Sequence, residues 1–371
     1  MATYEALQRN DRQIAVWLLA CCALVFVIVV VGGLTRLTGS GLSMVEWNPI
    51  FGLFPPMSDA EWQAVFEQYR TSPEYLHVNR GMTVEEFKGI YWLEYIHRMI
   101  GRGIGLAFLL PMLYFWVRGK IEASLRPKLV AMFVLGGLQG VLGWYMVKSG
   151  LIDVPQVSPY RLTAHLGLAV VIYAYMLWVA MDLLSRGRPT AAPPQGQSPV
   201  LRRVVMVVTG FAFVTILSGG FVAGTKAGYA FSTFPLMQGQ WIPDGLFTQE
   251  PLWRNFFENI LTVQFTHRVL AMGLLLAVFL MWLLAWRLEP RGGMRLGFHL
   301  ALGAVVVQVI LGISTLLMYV PISLASAHQA WALVLFTVLL VLVHRLRQPV
   351  AAAHAEARAA ASTRQVEASG A

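Results

Sequence analysis

The sequence predicts an all-α integral membrane protein: eight transmembrane helices forming two tandem four-helix bundles, related by a pseudo-two-fold along the membrane normal. Three observations predict it. The 371 residues are 57% hydrophobic and 13% charged, with a mean hydropathy of +0.61, whereas a soluble domain carries about 25% charged residues. Eight apolar runs approach or exceed the roughly 20 residues that a helix needs to cross the hydrocarbon core; they lie near 14–35, 90–117, 128–148, 162–184, 203–224, 258–286, 295–318 and 324–344. Finally, the last four runs repeat the first four. Four helices per repeat make both halves enter the membrane in the same direction, the geometry of a parallel repeat.

The first run is longer than a secretory h-region and ends in GGLTRLTGSG without a small-x-small cleavage site, so it reads as a membrane helix. Its adjacent Cys21 and Cys22 cannot close an ordinary disulfide loop and read as small buried apolar residues. A long acidic connection, with Glu46, Asp59, Glu61, Glu67, Glu74, Glu85 and Glu86, precedes the second run. The repeat then becomes legible motif by motif. VVGGLTRLTGSGLS of run one recurs as LSGGFVAGTKAGYAFSTFP in run five, and YIHRMIGRGIGLAFLLP of run two as FTHRVLAMGLLLAVFL in run six. GGLQGVLGWYMV of run three answers VVQVILGISTLLMYV in run seven, and LTAHLGLAV of run four answers ASAHQAWAL in run eight. Residues 1–184 are therefore expected to form one bundle and 201–348 the other. SRGRPTAAPPQGQSPV, 185–200, is expected to be a flexible cytoplasmic linker, and the Ala-rich 349–371 a disordered tail.

Charge orients the chain. Arg9 and Arg12 precede run one; Arg118, Lys120, Arg126 and Lys128 follow run two; Arg186, Arg188, Arg202 and Arg203 follow run four. Arg287, Arg291 and Arg295 follow run six, and Arg345 and Arg347 follow run eight. Basic residues thus fill alternate connections, which puts both termini in the cytoplasm and the acidic connections outside. The net charge of +9 is thereby assigned to membrane topology and not to nucleic acid. The N-terminus is not Arg- and Ser-rich like an organelle transit peptide, which favours a bacterial inner (plasma) membrane.

Chemistry enters through four histidines at matching places: His97 and His165 in the first half, His267 and His328 in the second, each near the outer end of its run. Ionisable residues inside a membrane usually mark a ligand or a proton path. Imidazole suits several metals, but each half offers two imidazoles on facing helices, and two axial ligands across a four-helix bundle fit haem iron. Arg98 and Arg268, directly after the first histidine of each half, and Arg102, one turn deeper, can bind haem propionates bidentately or reach to the surface. His77, His299, His344 and His354 sit elsewhere and receive no ligand role. One asymmetry stands out. Glu94 precedes His97 by three residues and Gln264 precedes His267 by three, which suggests acid–base chemistry in the first half only; the plain alternative pairs Glu94 with Arg98.

TGSGLSMVEWNPIFGLFPP, LEYIHRMIGRGIG and SGGFVAGTKAGYAFSTFPLMQGQWIP closely resemble the haem A synthase family over about residues 15–345. Some members carry cysteine pairs in outer loops; this chain has none there and is similar to the alphaproteobacterial and mitochondrial type. The resemblance implies oxidation of the C8 methyl of haem O to a formyl group, by successive hydroxylations and loss of water from a geminal diol, for terminal oxidase assembly. It implies that His97 and His165 hold the substrate haem, that Glu94 is the catalytic or positioning acid, and that His267 and His328 ligate a resident haem b passing electrons. It leaves open the reductant, ferredoxin-like or other, direct contact with haem O synthase, and a homo-oligomer. A dihaem electron-transfer subunit of the membrane cytochrome b kind is the main alternative; it has no need of an acid beside one site only. A transporter would place its ionisable groups at mid-membrane.

Overall fold

The structure, a computed structural model, describes residues 2–46, 53–150, 156–186, 198–288 and 294–347, with side chains from Leu7 onward. The expected tail, most of the expected linker, His354 and part of the first outer connection lie outside the described residues. Among the described residues the secondary structure is helical, with one isolated bridge between Met237 and Gln240. Eight helices are long and apolar enough to cross a membrane.

Helix α1 (Ala2–Leu37) is closed by a Schellman turn: Ser40 N–H reaches Thr35 C=O (2.9 Å), Gly39 N–H reaches Arg36 C=O (3.3 Å), and Gly39 takes φ +68°. Two short helices follow, α2 (Asp59–Arg70) and α3 (Pro73–His77). α2 begins with a capping box, Ser58 with Glu61, and α4 (Val84–Val117) with another, Thr83 with Glu86, so each start is written locally in the chain. Next come α5 (Arg126–Gly150), α6 (Pro159–Ser185), α7 (Pro199–Gly224), the single turn α8 (Ala227–Ala230) and a 3₁₀ segment (Leu252–Phe256). α9 (Ile260–Leu288), α10 (Met294–Leu317) and α11 (Ile322–Leu346) complete the chain.

The packing graph is written twice. α1 lies against α4 and α6, α4 against α5, and α5 against α6; α7 lies against α9 and α11, α9 against α10, and α10 against α11. Across the middle, α1 meets α11, and α6 meets both α7 and α11. One large apolar core, from Ile14 and Leu18 to Leu339 and Leu342, fills this centre, with Cys21 and Cys22 buried in it as free thiols. Polar cross-links tie the same seam. Tyr173 and Thr337 share a hydroxyl hydrogen bond of 2.8 Å, and at the far end Asp182 of α6 accepts from His344 of α11 (2.8 Å) and from Arg347, the residue after that helix.

A second, smaller core caps the N-terminal end of α4. Trp62, Phe66, Tyr69, Phe87 and Tyr91 are buried together, with Met44 and Val45 packed beneath them; the Tyr69 and Phe87 rings stack at 4.9 Å. Glu74 is buried in this cap with Tyr69 OH donating to it (3.3 Å). Burial pushes its carboxyl from 4.5 up to about 7, with Glu94 adding and the Tyr69 bond and Lys226 opposing. A carboxyl whose folded pKa is raised is penalised only when ionised, so the cap is strongest below the unfolded value and weakens as pH climbs through about 7. Glu74→Gln should therefore leave stability unchanged near pH 4 and raise it by up to about 3 kcal/mol above pH 8. Thermal unfolding in detergent at the two pH values checks this; an equal effect at both would assign the change to packing.

Candidate functional site

All four histidines of the repeat pattern are half-buried, His97 on α4, His165 on α6, His267 on α9 and His328 on α11. Within each half the two imidazoles lie in electrostatic reach of each other. Each ring rests on a glycine of a neighbouring helix. A Cβ built on Gly32 of α1 would stand 3.0 Å from His97 Nε2, and one on Gly143 of α5 would stand 3.0 Å from His165 Cε1. Gly219 of α7 would reach His267 Cε1 at 3.2 Å, and Gly312 of α10 would reach His328 Cε1 at 2.8 Å. In the repeat alignment Gly32 answers Gly219 and Gly143 answers Gly312, so the four seats are two pairs of equivalents. Sequence reasoning missed them. The GG of GGLTRL and SGGFVAG was the available signal.

The second half is the more fully prepared. His267 Nδ1 and Ser218 Oγ are 2.7 Å apart, and Ser218 directs its own hydroxyl to the Thr215 carbonyl (2.8 Å), so the histidine is the donor. His328 Nδ1 lies 3.2 Å from the Gln308 carbonyl, which can only accept. Both rings are thereby held with the proton on Nδ1, the arrangement in which a hydrogen bond orients a metal-ligating imidazole; His328 Nε2 lies 3.5 Å from the Gln308 side-chain amide nitrogen, which donates to its lone pair. The first half lacks these partners. Val31 stands where Ser218 does, and His165 Nδ1 is buried without a hydrogen bond among the described residues.

Glu94 and Arg98 come together in a pair less than 10% exposed on either side. Arg98 Nε (3.0 Å) and Nη2 (2.5 Å) donate to Glu94 Oε1, while Ser43 Oγ (2.7 Å) and Met44 N–H (2.9 Å) donate to Oε2. Arg98 also donates to the carbonyls of Met44 (3.0 Å) and Glu46 (3.2 Å). The equivalent pair works the same way with one charge fewer. Gln264 Oε1 accepts from Arg268 (3.2 Å), and Gln264 Nε2 donates to Ala227 (3.1 Å) and Phe231 (2.9 Å). Both pairs pin the segment that follows the first helix of their half. Arg268 keeps two buried nitrogens, Nε and Nη1, without a protein partner among the described residues. Arg102, one turn below Arg98, contacts Met99 Sδ at 3.8 Å. Of the histidines given no ligand role, His299 accepts from Trp282 (3.0 Å) and His344 pairs with Asp182.

These features fit a flat, bis-imidazole-ligated macrocycle in each half: paired imidazoles, closely approaching glycine backbone, and in the second half a buried guanidinium with open donors. The chain matches the COX15-CtaA family, described as cytochrome oxidase assembly protein, over residues 15–340. It belongs to that family. Among its relatives are proteins named Heme A synthase from Nitrosospira multiformis, 54% identical over 91% of this chain and 94% of the relative, and from Nitrosomonas eutropha, 52% identical over 91% and 95%. The similarity crosses kingdoms: Heme A synthase COX15 of Bos taurus is 45% identical over 91% of this chain and 83% of its own length. The COX15-CtaA match spans all four histidines and both the Glu94–Arg98 and Gln264–Arg268 pairs.

Proposed function

We propose that the chain is a haem A synthase that oxidises the C8 methyl of haem O to a formyl group. Two successive two-electron oxidations, each inserting one oxygen atom from an oxygen donor outside the chain, take the methyl to a hydroxymethyl and then to a geminal diol that loses water, and the product serves terminal oxidase assembly. The observation that carries the division of labour is the tautomer lock on His267 and His328. A permanently held haem needs ligands fixed in advance, and only the second pair has both rings fixed. His267 and His328 therefore hold a resident haem b, with the open donors of Arg268 on a propionate; bound there, haem b supplies one-electron transfer. His97 and His165 receive haem O.

Packing supports the same division. Gly103 and Gly105 of α4 and Gly136, Gly137 and Gly140 of α5 have open space where a Cβ would stand, and α5 buries only Leu129, Met132 and Gly150. Against four of these the second half sets Leu275, Val305, Val306 and Val309. These glycines are exposed, and α4 and α5 pack on each other less closely than α9 and α10 do, which suits a farnesylated substrate that must arrive and leave through lipid. Glu94 acts as a positioning acid: its carboxylate is saturated by four donors that hold residues 43–46 over the first site. Arg98 shares that task, and Arg102 remains a propionate candidate. Residues 1–184 and 201–348 form the two bundles, related by a pseudo-two-fold that the duplicated packing supports. The chain spans the bacterial inner membrane with cytoplasmic termini and outer-facing haem sites. Reductant, haem O synthase contact and self-association follow from the same reading as partners to test.

Extraction and mass analysis of the haems, from protein made with and without a haem O supply, tests the proposal. Haem A or hydroxylated haem O beside haem b is expected. Haem b alone filling both sites would move the reading to a dihaem electron-transfer protein. His267→Ala should remove the resident haem b and its Soret band, whereas His97→Ala should retain it and stop conversion; the reverse pattern would exchange the two sites.

A further inference from the structure

The glycine pairs that seat the histidines also join the two halves. On α1, Gly32 faces His97 while the next residue, Gly33, faces Gln329 of α11, the residue after His328. A Cβ on Gly33 would stand 2.2 Å from Gln329 Oε1, so any larger residue there forces the Gln329 amide out of its place. Gln329 Nε2 continues past it and donates to the Val29 carbonyl at 2.7 Å. On α7, Gly219 faces His267 while Gly220 faces Thr163 of α6, two residues before His165, at 2.9 Å from Thr163 Oγ1. Each glycine pair thus touches a histidine of its own half and the helix bearing a histidine of the other half. The two junctions differ in chemistry. Thr163 Oγ1 is buried without a hydrogen-bond partner among the described residues, and Leu166 occupies the position equivalent to Gln329; only the α1–α11 junction is clasped by a hydrogen bond among the described residues.

We infer that Gln329 is a positioning residue that fixes the separation of the two histidine sites by clasping α1 across Gly33. In a membrane, apolar side chains gain little by associating with one another, so close backbone approach at small residues and interhelical hydrogen bonds set helix position. The junction connects His328 to His97 through consecutive residues on each helix, Gln329 and His328 on α11, Gly33 and Gly32 on α1. A shift of α11 along α1 therefore changes the distance between the sites directly. With the proposed function, on which this consequence rests, His267 and His328 would hold the electron-donating haem and His97 and His165 the substrate haem, so the separation that Gln329 fixes would set the rate of electron transfer between the two sites.

The test uses the full chain with Cys21→Ala and Cys22→Ala, nitroxide labels at Thr38→Cys and Ile322→Cys on the outer ends of α1 and α11, and Gln329→Leu against Gln329. Both label positions are exposed. Pulsed EPR on the haem-free protein should show the α1–α11 distance broadened or displaced by roughly 1–2 Å in Gln329→Leu, the scale of helix shifts at packed interfaces. In the haem-loaded protein the same substitution should slow transfer between sites several-fold while the Soret spectrum and haem content stay at their normal level. Gln329→Asn, a shorter donor, should restore neither the distance nor the rate, whereas Gly33→Ala should reproduce the loss with Gln329 intact. An unchanged distance distribution with Gln329→Leu would overturn the inference. Absence of haem at His267 and His328 in the parent protein would instead overturn the proposed function, and the EPR distance would still test the clasp independently.

Discussion

Glu94→Leu should destabilise the protein by about 3–5 kcal/mol, because it leaves the Arg98 guanidinium buried without its counter-charge. Both side chains are less than 10% exposed, so water cannot replace the lost carboxylate. The loss extends beyond the pair. Met44 N–H loses its acceptor, Ser43 Oγ is left with the Ser40 and Ile90 carbonyls, and residues 43–46, packed with the aromatic cap, lose part of their anchor to α4. Glu94→Gln has a built-in comparison at the equivalent position, where Gln264 accepts from Arg268. One amide oxygen can serve Arg98 in the same way, but the amide nitrogen then opposes the Met44 N–H, so a loss of about 1–3 kcal/mol is expected. Replacing both partners, Glu94→Leu with Arg98→Met, should recover most of the stability, since the penalty lies in the orphaned charge. Chemical unfolding in detergent of the two singles, the double and the parent measures the coupling. Additive effects would show that the pair does not act as a unit.

That experiment also separates two readings that the sequence left open. ExxH placed a carboxylate near an imidazole, and the i,i+4 spacing to Arg98 offered the ion pair as the plain alternative. Local spacing could not decide, because the deciding donors, Ser43 and Met44, lie far back in the chain, on the connection that follows α1. The eight spans were legible for the opposite reason: hydrocarbon imposes a length and a composition on each helix separately, with no reference to its neighbours. Matching histidines were legible through the repeat. Their glycine seats were not, since each pairs a residue with a ring on another helix, and a glycine in an apolar run has many other uses. The outer cap lies between these cases. Ser58 with Glu61 and Thr83 with Glu86 are readable helix starts, whereas the burial of Glu74 among Tyr69 and its neighbours depends on α2 and α3 folding back onto α4.

The seats yield the sharpest separation between the halves. At Gly312 a Cβ would stand 2.8 Å from His328 Cε1 and 3.3 Å from Nδ1, and the ring cannot retreat without giving up its bond to the Gln308 carbonyl. Gly312→Val should therefore displace His328 and abolish binding of the haem b proposed to reside there, with an overpacking penalty of about 1–3 kcal/mol. At Gly143 the approach to His165 Cε1 is 3.0 Å, but His165 Nδ1 has no hydrogen bond among the described residues and α5 is barely buried, so the ring and the helix can both give way. Gly143→Val should keep haem b at the parental level and lose haem O binding, with a smaller effect on stability. Haem extraction from the two variants, each with and without a haem O supply, compares them directly. If both lose haem b to the same extent, the seats act on a shared structural element and the assignment of one haem to each half fails; if only Gly312→Val does, the tautomer lock on the second pair is what distinguishes a resident haem from a substrate.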